Sequence, residues 1–145
     1  MEEFKNILVV THSIKESRKA IRIGISMARK YGGKVHLLHV IHDPFNLEGW
    51  NIPVPSFEEE YRHMVSKARE ELLKEVVLQK AEDLLANIWV KDGRPRDEIQ
   101  QAVESEHIDV VLIPAHPEGR LEHFLFGKEN DTLIRKLPAT LMLVK

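Results

Sequence analysis

The chain has 145 residues, 43% of them hydrophobic and 30% charged, with a formal net charge of −2 and no cysteine. That length suits one domain that buries roughly 70% of its unfolded surface, and the composition is that of an ordinary globule. The charge leaves no footprint for nucleic acid, and the lack of cysteine excludes disulfides, thiolate catalysis and cysteine-based zinc sites.

The first residues, MEEFKN, are acidic and enter an apolar run at once, unlike a secretory signal. No apolar run approaches the roughly 18 residues that a membrane span needs. The expectation is a single cytoplasmic domain over residues 1–145, with neither membrane nor nucleic acid as partner.

Short apolar runs recur at Ile7–Val10, Val35–Ile41, Ile88–Val90, Val110–Ile113 and Leu141–Val144. Nearly uninterrupted runs of this length suit strands of a parallel sheet buried on both faces, not the alternation of a sheet with one wet side. Amphipathic stretches separate them. After the first run, Ser13 and Glu16 have capping-box spacing. Ala20, Gly24, Met27, Ala28 and Tyr31 then share one helical face, and Gly32-Gly33 closes the helix. The segment His42–Pro55 carries three prolines with Phe45, Leu47, Trp50, Ile52 and Val54, in the manner of a binding loop or a satellite cluster folded onto the body.

A second helix is predicted from about Ser56 into the eighties, with Phe57, Tyr61, Met64, Ala68 and Leu72 inward and a solvated charged face outside. A third follows Gly93-Arg94-Pro95 and uses Ile99, Ala102 and Val103. The last starts near Asn130, buries Leu133, Ile134 and Leu137, and stops at Pro138. The alternation reads β-α-β-α-β-α-β-α-β, a doubly wound α/β sandwich.

The ordered pieces KNILVV, GGKVHLLHVI, VKDGRP and RKLPATLMLVK resemble the universal stress protein family along essentially the whole chain. The resemblance implies a five-stranded parallel sheet of order 3-2-1-4-5 with helices on both faces. It also implies a homodimer and, in many members, bound ATP. The ATP-binding branch carries G-x2-G-x9-G-[ST] after strand four, and the corresponding positions here are Pro114, Pro117, Gly127 and Lys128. Glycines let a backbone approach phosphates, and successive N–H groups form the anion nest. Proline has no N–H, so Pro114 and Pro117 remove two potential donors.

Around that loop Glu118, Glu122, Glu129 and Asp131 outnumber Arg120 and Lys128. The family's nucleoside-contacting aspartate aligns with His12, its valine with Val40, and its Gly-x-Pro with Gly93 and Pro95. Pro114-Ala115-His116, Arg120-Leu121-Glu122 and Phe126 resemble most the E-type branch, a tandem that lacks the full nucleotide motif.

The functional expectation is a non-catalytic stress-response or regulatory homodimer with a degenerate nucleotide-binding loop and no cofactor, acting through a protein partner or an unidentified small ligand. The alternative is a member that binds ATP or AMP through Val40, Gly93, Gly127 and Lys128, with weak ATP hydrolysis as its enzymatic extension. Among eight histidines, His12, His42 and His116 follow the ends of strands one, two and four in the implied order and are the candidate metal ligands, with Asp43 beside them. His39, inside a strand, reads as structural. Ser13 and Ser17 read as capping residues, no G-x-S-x-G elbow occurs, and Thr11-His12-Ser13-Ile14 lacks the H-x-G-H of nucleotidyl transferases. The last strand, Thr140–Val144, is expected at a sheet edge, where a short apolar strand invites two-fold pairing with a second copy.

Overall fold

A computed structural model describes residues 3–41, 54–92, 94–115 and 135–145. Five strands, β1 (Asn6–Thr11), β2 (Lys34–Val40), β3 (Leu85–Lys91), β4 (Val110–Pro114) and β5 (Thr140–Val144), form one sheet of order β3-β2-β1-β4-β5. Every neighbouring pair is parallel. The expected fold class and strand order are therefore present. Among the described residues three long helices accompany the sheet: α1 (Ile14–Tyr31), α2 (Val54–Leu78) and α3 (Pro95–Glu106).

Strand periodicity divides the core into two layers. Ile7 and Val9 of β1 and Val35 and Leu37 of β2 pack with Ala20, Ile21, Ile25 and Ala28 of α1 and Leu72 and Val76 of α2. The alternate residues Leu8, Val10, Leu38 and Val40 pack on the other side with Ile99, Ala102 and Val103 of α3. β1 and β4 are covered on both faces, and this is why their runs are almost unbroken in apolar residues.

Helix α1 ends as its sequence predicts. Gly32 takes the left-handed conformation at φ 66°, and the Gly33 N–H donates to Ala28 O at 2.8 Å. A Cβ on Gly33 would lie 2.2 Å from Lys5 O, so the chain can pass there only without a side chain. The start of α1 corrects one expectation. Ser13 is extended at the N-cap position but makes no side-chain cap. Its carbonyl instead accepts from the Ser17 N–H at 3.0 Å and the Ser17 hydroxyl at 2.6 Å, while Glu16 turns toward His12. The capping box does not form: the Ser13 side chain makes no cap bond, and Glu16 faces His12 instead.

Helix α2 begins two residues before the predicted start, so Val54 and Pro55 belong to its first turn and not to the preceding loop. Its inward stripe runs on through Glu75 and Val76. Glu75, 5% exposed, faces Arg22 at 3.5 Å and Arg18 at 3.7 Å, both from α1. Of the last predicted helix, only its end is described: residues 135–136 are helical, and Leu137 is buried before Pro138.

The amino end of the sheet is tied by one side chain. Asp109 Oδ2 accepts from the backbone N–H of Asn6 at 2.8 Å and of Lys5 at 3.0 Å. Its own N–H donates to Asn6 O, and its carbonyl accepts from Thr140 N. One residue thus holds the starts of β1, β4 and β5 in register.

Candidate site at the carboxyl ends of the strands

In a doubly wound sheet the ligand crevice lies beyond the carboxyl ends of the strands where the order reverses. Here that point falls between β1 and β4. β1 delivers Thr11, His12 and Ser13 to it, β2 delivers Val40 and Ile41, β3 delivers Lys91 and Asp92, and β4 delivers Pro114 and Ala115.

Pro114 shapes the crevice through the ladder. Paired register between β1 and β4 ends at Val9–Leu112, whereas β4 and β5 stay paired through Pro114–Val144. Ala115 N–H donates to Val144 O at 2.6 Å, so by the alternation of the backbone residue 114 faces β1. Continuing the register, an N–H at 114 would donate to the Val10 carbonyl. Proline supplies none, and the two strands part at that residue.

On the β2 side of β1, Thr11 and His39 are register partners, and Thr11 Oγ1 lies 2.7 Å from His39 Nδ1. His39 is buried, and its pKa is lowered first by that burial and then by the neighbouring His12, with the Glu71 carboxylate opposing. A neutral imidazole bonded to a hydroxyl is the state this pocket favours. His12 Nε2 lies 3.8 Å from Glu16 Oε2. At the rim, burial and the Asp92 carboxylate push the Tyr61 phenol up, and Ile41 N–H donates to Lys91 O at 2.7 Å.

Of the expected site residues, Val40 is 2% exposed and packs in the α3-side core, which places it under the crevice floor. Gly93, Gly127, Lys128, Pro117, His42 and His116 lie outside the described residues, as does residue range 42–53 of the proline-rich segment. The three-histidine metal set is represented only by His12, and among the described residues no group of three or more His, Cys, Asp or Glu is arranged to hold a metal ion. The Thr11–His39 pair and the Tyr61–Asp92 contact were not read from sequence. The signal for the first is two polar residues near the ends of adjacent apolar runs, on the same face.

The universal stress protein family model matches residues 3–145. "Universal stress protein E" of Escherichia coli (strain K12) is 29% identical over 150 residues, covering 100% of this chain and 46% of its own length. The chain therefore spans about half the length of the curated relatives of that name. Among solved structures, universal stress protein UspA from Lactobacillus plantarum superimposes with a TM-score of 0.73 at 16% identity, covering 100% of both chains. A universal stress protein from Archaeoglobus fulgidus in complex with dAMP gives 0.55 at 17% identity, again over 100% of both. With the predicted strand order present and the family model matched almost end to end, this chain belongs to the universal stress protein family.

Proposed function

We propose that this protein is a non-catalytic stress-response regulator, a single domain that works in the cytoplasm as a homodimer and whose crevice has lost its triphosphate chemistry. Pro114 carries the reading. It stands at the reversal of strand order, where a nucleotide's phosphates would approach, and it withholds a backbone donor on the β1 side. His12, where a nucleoside-binding carboxylate is expected, points the same way.

The two sheet edges support the dimer. On β3 the outward-facing Ile88 carbonyl is capped by Arg69 Nη1 at 2.9 Å, a charged cover of the kind that blunts edge pairing. β5 has no such cap among the described residues, and Leu143 stands 44% exposed on it. Pairing two β5 strands about a two-fold axis closes the assembly.

The second reading, adenine nucleotide binding through Val40, Gly93, Gly127 and Lys128, is favoured by the structural neighbour solved with dAMP. The two readings separate by ligand content and melting. Protein purified without added nucleotide should carry none, and ATP or AMP with magnesium should leave Tm unchanged. Saturation at about 100 times Kd would stabilise by about 2.7 kcal/mol and raise Tm by about 5–10 °C, and that result would establish the second reading. Light scattering tests the dimer, and a monomer at micromolar concentration defeats it. Chelator treatment followed by elemental analysis tests His12, His42 and His116 as ligands.

A further inference from the structure

On the α3 face of the sheet, beside the crevice just described, a cleft of about 130 Å³ opens between α3 and the β2–β3 edge. Trp89, half-buried on β3, forms an aromatic wall. Its ring stacks on His36 of β2, with centroids 5.6 Å apart and planes inclined by 15°. His36 is fixed in turn. The Asn87 amide Nδ2 donates to its Nδ1 at 2.9 Å, which leaves the proton on Nε2, 3.5 Å from Asn6 Oδ1. Burial lowers its pKa, so the imidazole brings no charge to the region, although the Glu106 carboxylate favours protonation.

The opposite wall is one face of α3. Glu98, Gln101, Ser105 and Glu106 follow the spacing i, i+3, i+7, i+8, so all four look onto the cleft, and the two glutamates stand about 12 Å apart along the axis. Both are half-buried, and among the described residues neither is in an ion pair. Lys91, exposed at the upper rim, is the one basic lining residue among the described residues. Two carboxylates thus face one ammonium across an aromatic surface. A partly desolvated carboxylate seeks a cation, and an indole face attracts one through its quadrupole.

We propose that this cleft is a binding site for a small organic cation, an alkylamine or short diamine, with its methylenes on Trp89, one ammonium on Glu106 and, in a diamine, the second directed toward Glu98. The site shares Lys91 with the crevice rim, but its acidic wall is α3 and its aromatic wall Trp89, neither of which the function proposed for the crevice uses.

The probe is 1,4-diaminobutane, titrated into the full chain at physiological salt and followed by calorimetry and by the Trp89 indole N–H resonance, with Trp50→Phe as background for assignment. Saturable binding in the millimolar range or tighter is expected, with the Trp89 resonance shifting in step. Glu106→Gln and Glu98→Gln should each weaken binding about tenfold. Lys91→Gln should tighten it. Glu104→Gln, on the same helix but outside the cleft, should leave it unchanged. These substitutions sit on half-buried or exposed side chains, and a melting curve confirms the fold of each. Failure to saturate by about 10 mM, or a loss with Glu104→Gln equal to that with Glu106→Gln, overturns the proposal.

Discussion

Asp109 offers the sharpest test of how the sheet is held. Its carboxylate accepts two backbone N–H groups, from Asn6 in a part-buried position and from Lys5 at the surface. A hydrogen bond to a charged group contributes about 1.5–3 kcal/mol where water cannot replace it. Water can replace the Lys5 bond, so the Asn6 bond counts in full and the other only in part. Asp109→Ala should therefore cost about 2–3 kcal/mol, which lowers Tm by about 5–10 °C at this chain length. Asp109→Asn keeps an acceptor oxygen without the charge and should lose about half as much. The backbone bonds from Asp109 to Asn6 and Thr140 survive in both variants, so the difference isolates the side chain. Urea unfolding followed by circular dichroism measures it, with the slope m checked for constancy. An Asp109→Ala variant within about 0.5 kcal/mol of the parent would refute the clamp, as would an Asn variant as unstable as the Ala one.

Three further outcomes follow from named contacts. Gly33→Ala should destabilise by about 3 kcal/mol or more, because the new Cβ would meet a backbone oxygen that is itself bonded to Lys34 N at 2.7 Å; thermal melting reads this. His36 and His39 are both held below the ordinary value of 6.5, so below about pH 6.5 the unfolded chain binds more protons than the folded one. Stability from these groups is complete above that pH and is lost as pH falls through their folded values. Denaturation at about pH 7 and about pH 5 should show the fall, and His39→Gln should reduce its slope. Arg18→Ala and Arg22→Ala should each cost under about 1 kcal/mol, since both guanidiniums are more than half exposed. The double variant strands the buried Glu75 carboxylate and should cost about 3 kcal/mol, more than the sum of the single changes.

Much of the fold was legible because the central strands are buried on both faces. The runs Ile7–Val10 and Val110–Ile113 fall within one or two residues of β1 and β4, since burial on both sides leaves no room for polar residues. β3 is seven residues long, yet only Ile88–Val90 stood out. An edge strand is half open, so Ala86 and Asn87 interrupt the pattern without ending the ladder. Glu75 was illegible for a different reason. It occupies the inward stripe of α2, and its neutralising partners come from α1, which no periodicity within α2 can announce. The His39–Thr11 bond and the Trp89 cleft likewise depend on which strands lie side by side. Composition and period along one strand do not carry that information until the register is known.

Strand alternation explains how the family frame can coexist with the loss proposed for the crevice. Residues 113 and 115 of β4 direct their backbone groups to β5, as the Ala115–Val144 bond shows, and residues 112 and 114 direct theirs to β1. A proline at 114 therefore removes a donor only on the β1 side. Had it fallen at 113 or 115, it would have cut the ladder that holds β5, and with it the edge strand on which the proposed dimer depends. Position 114 is thus a point where proline costs the scaffold little. It withholds a donor from the β1 side and leaves the outer edge paired through Val144. Sheet architecture constrains the two faces of a single strand separately, so chemistry at the strand ends can diverge while order 3-2-1-4-5 and its open edge are retained.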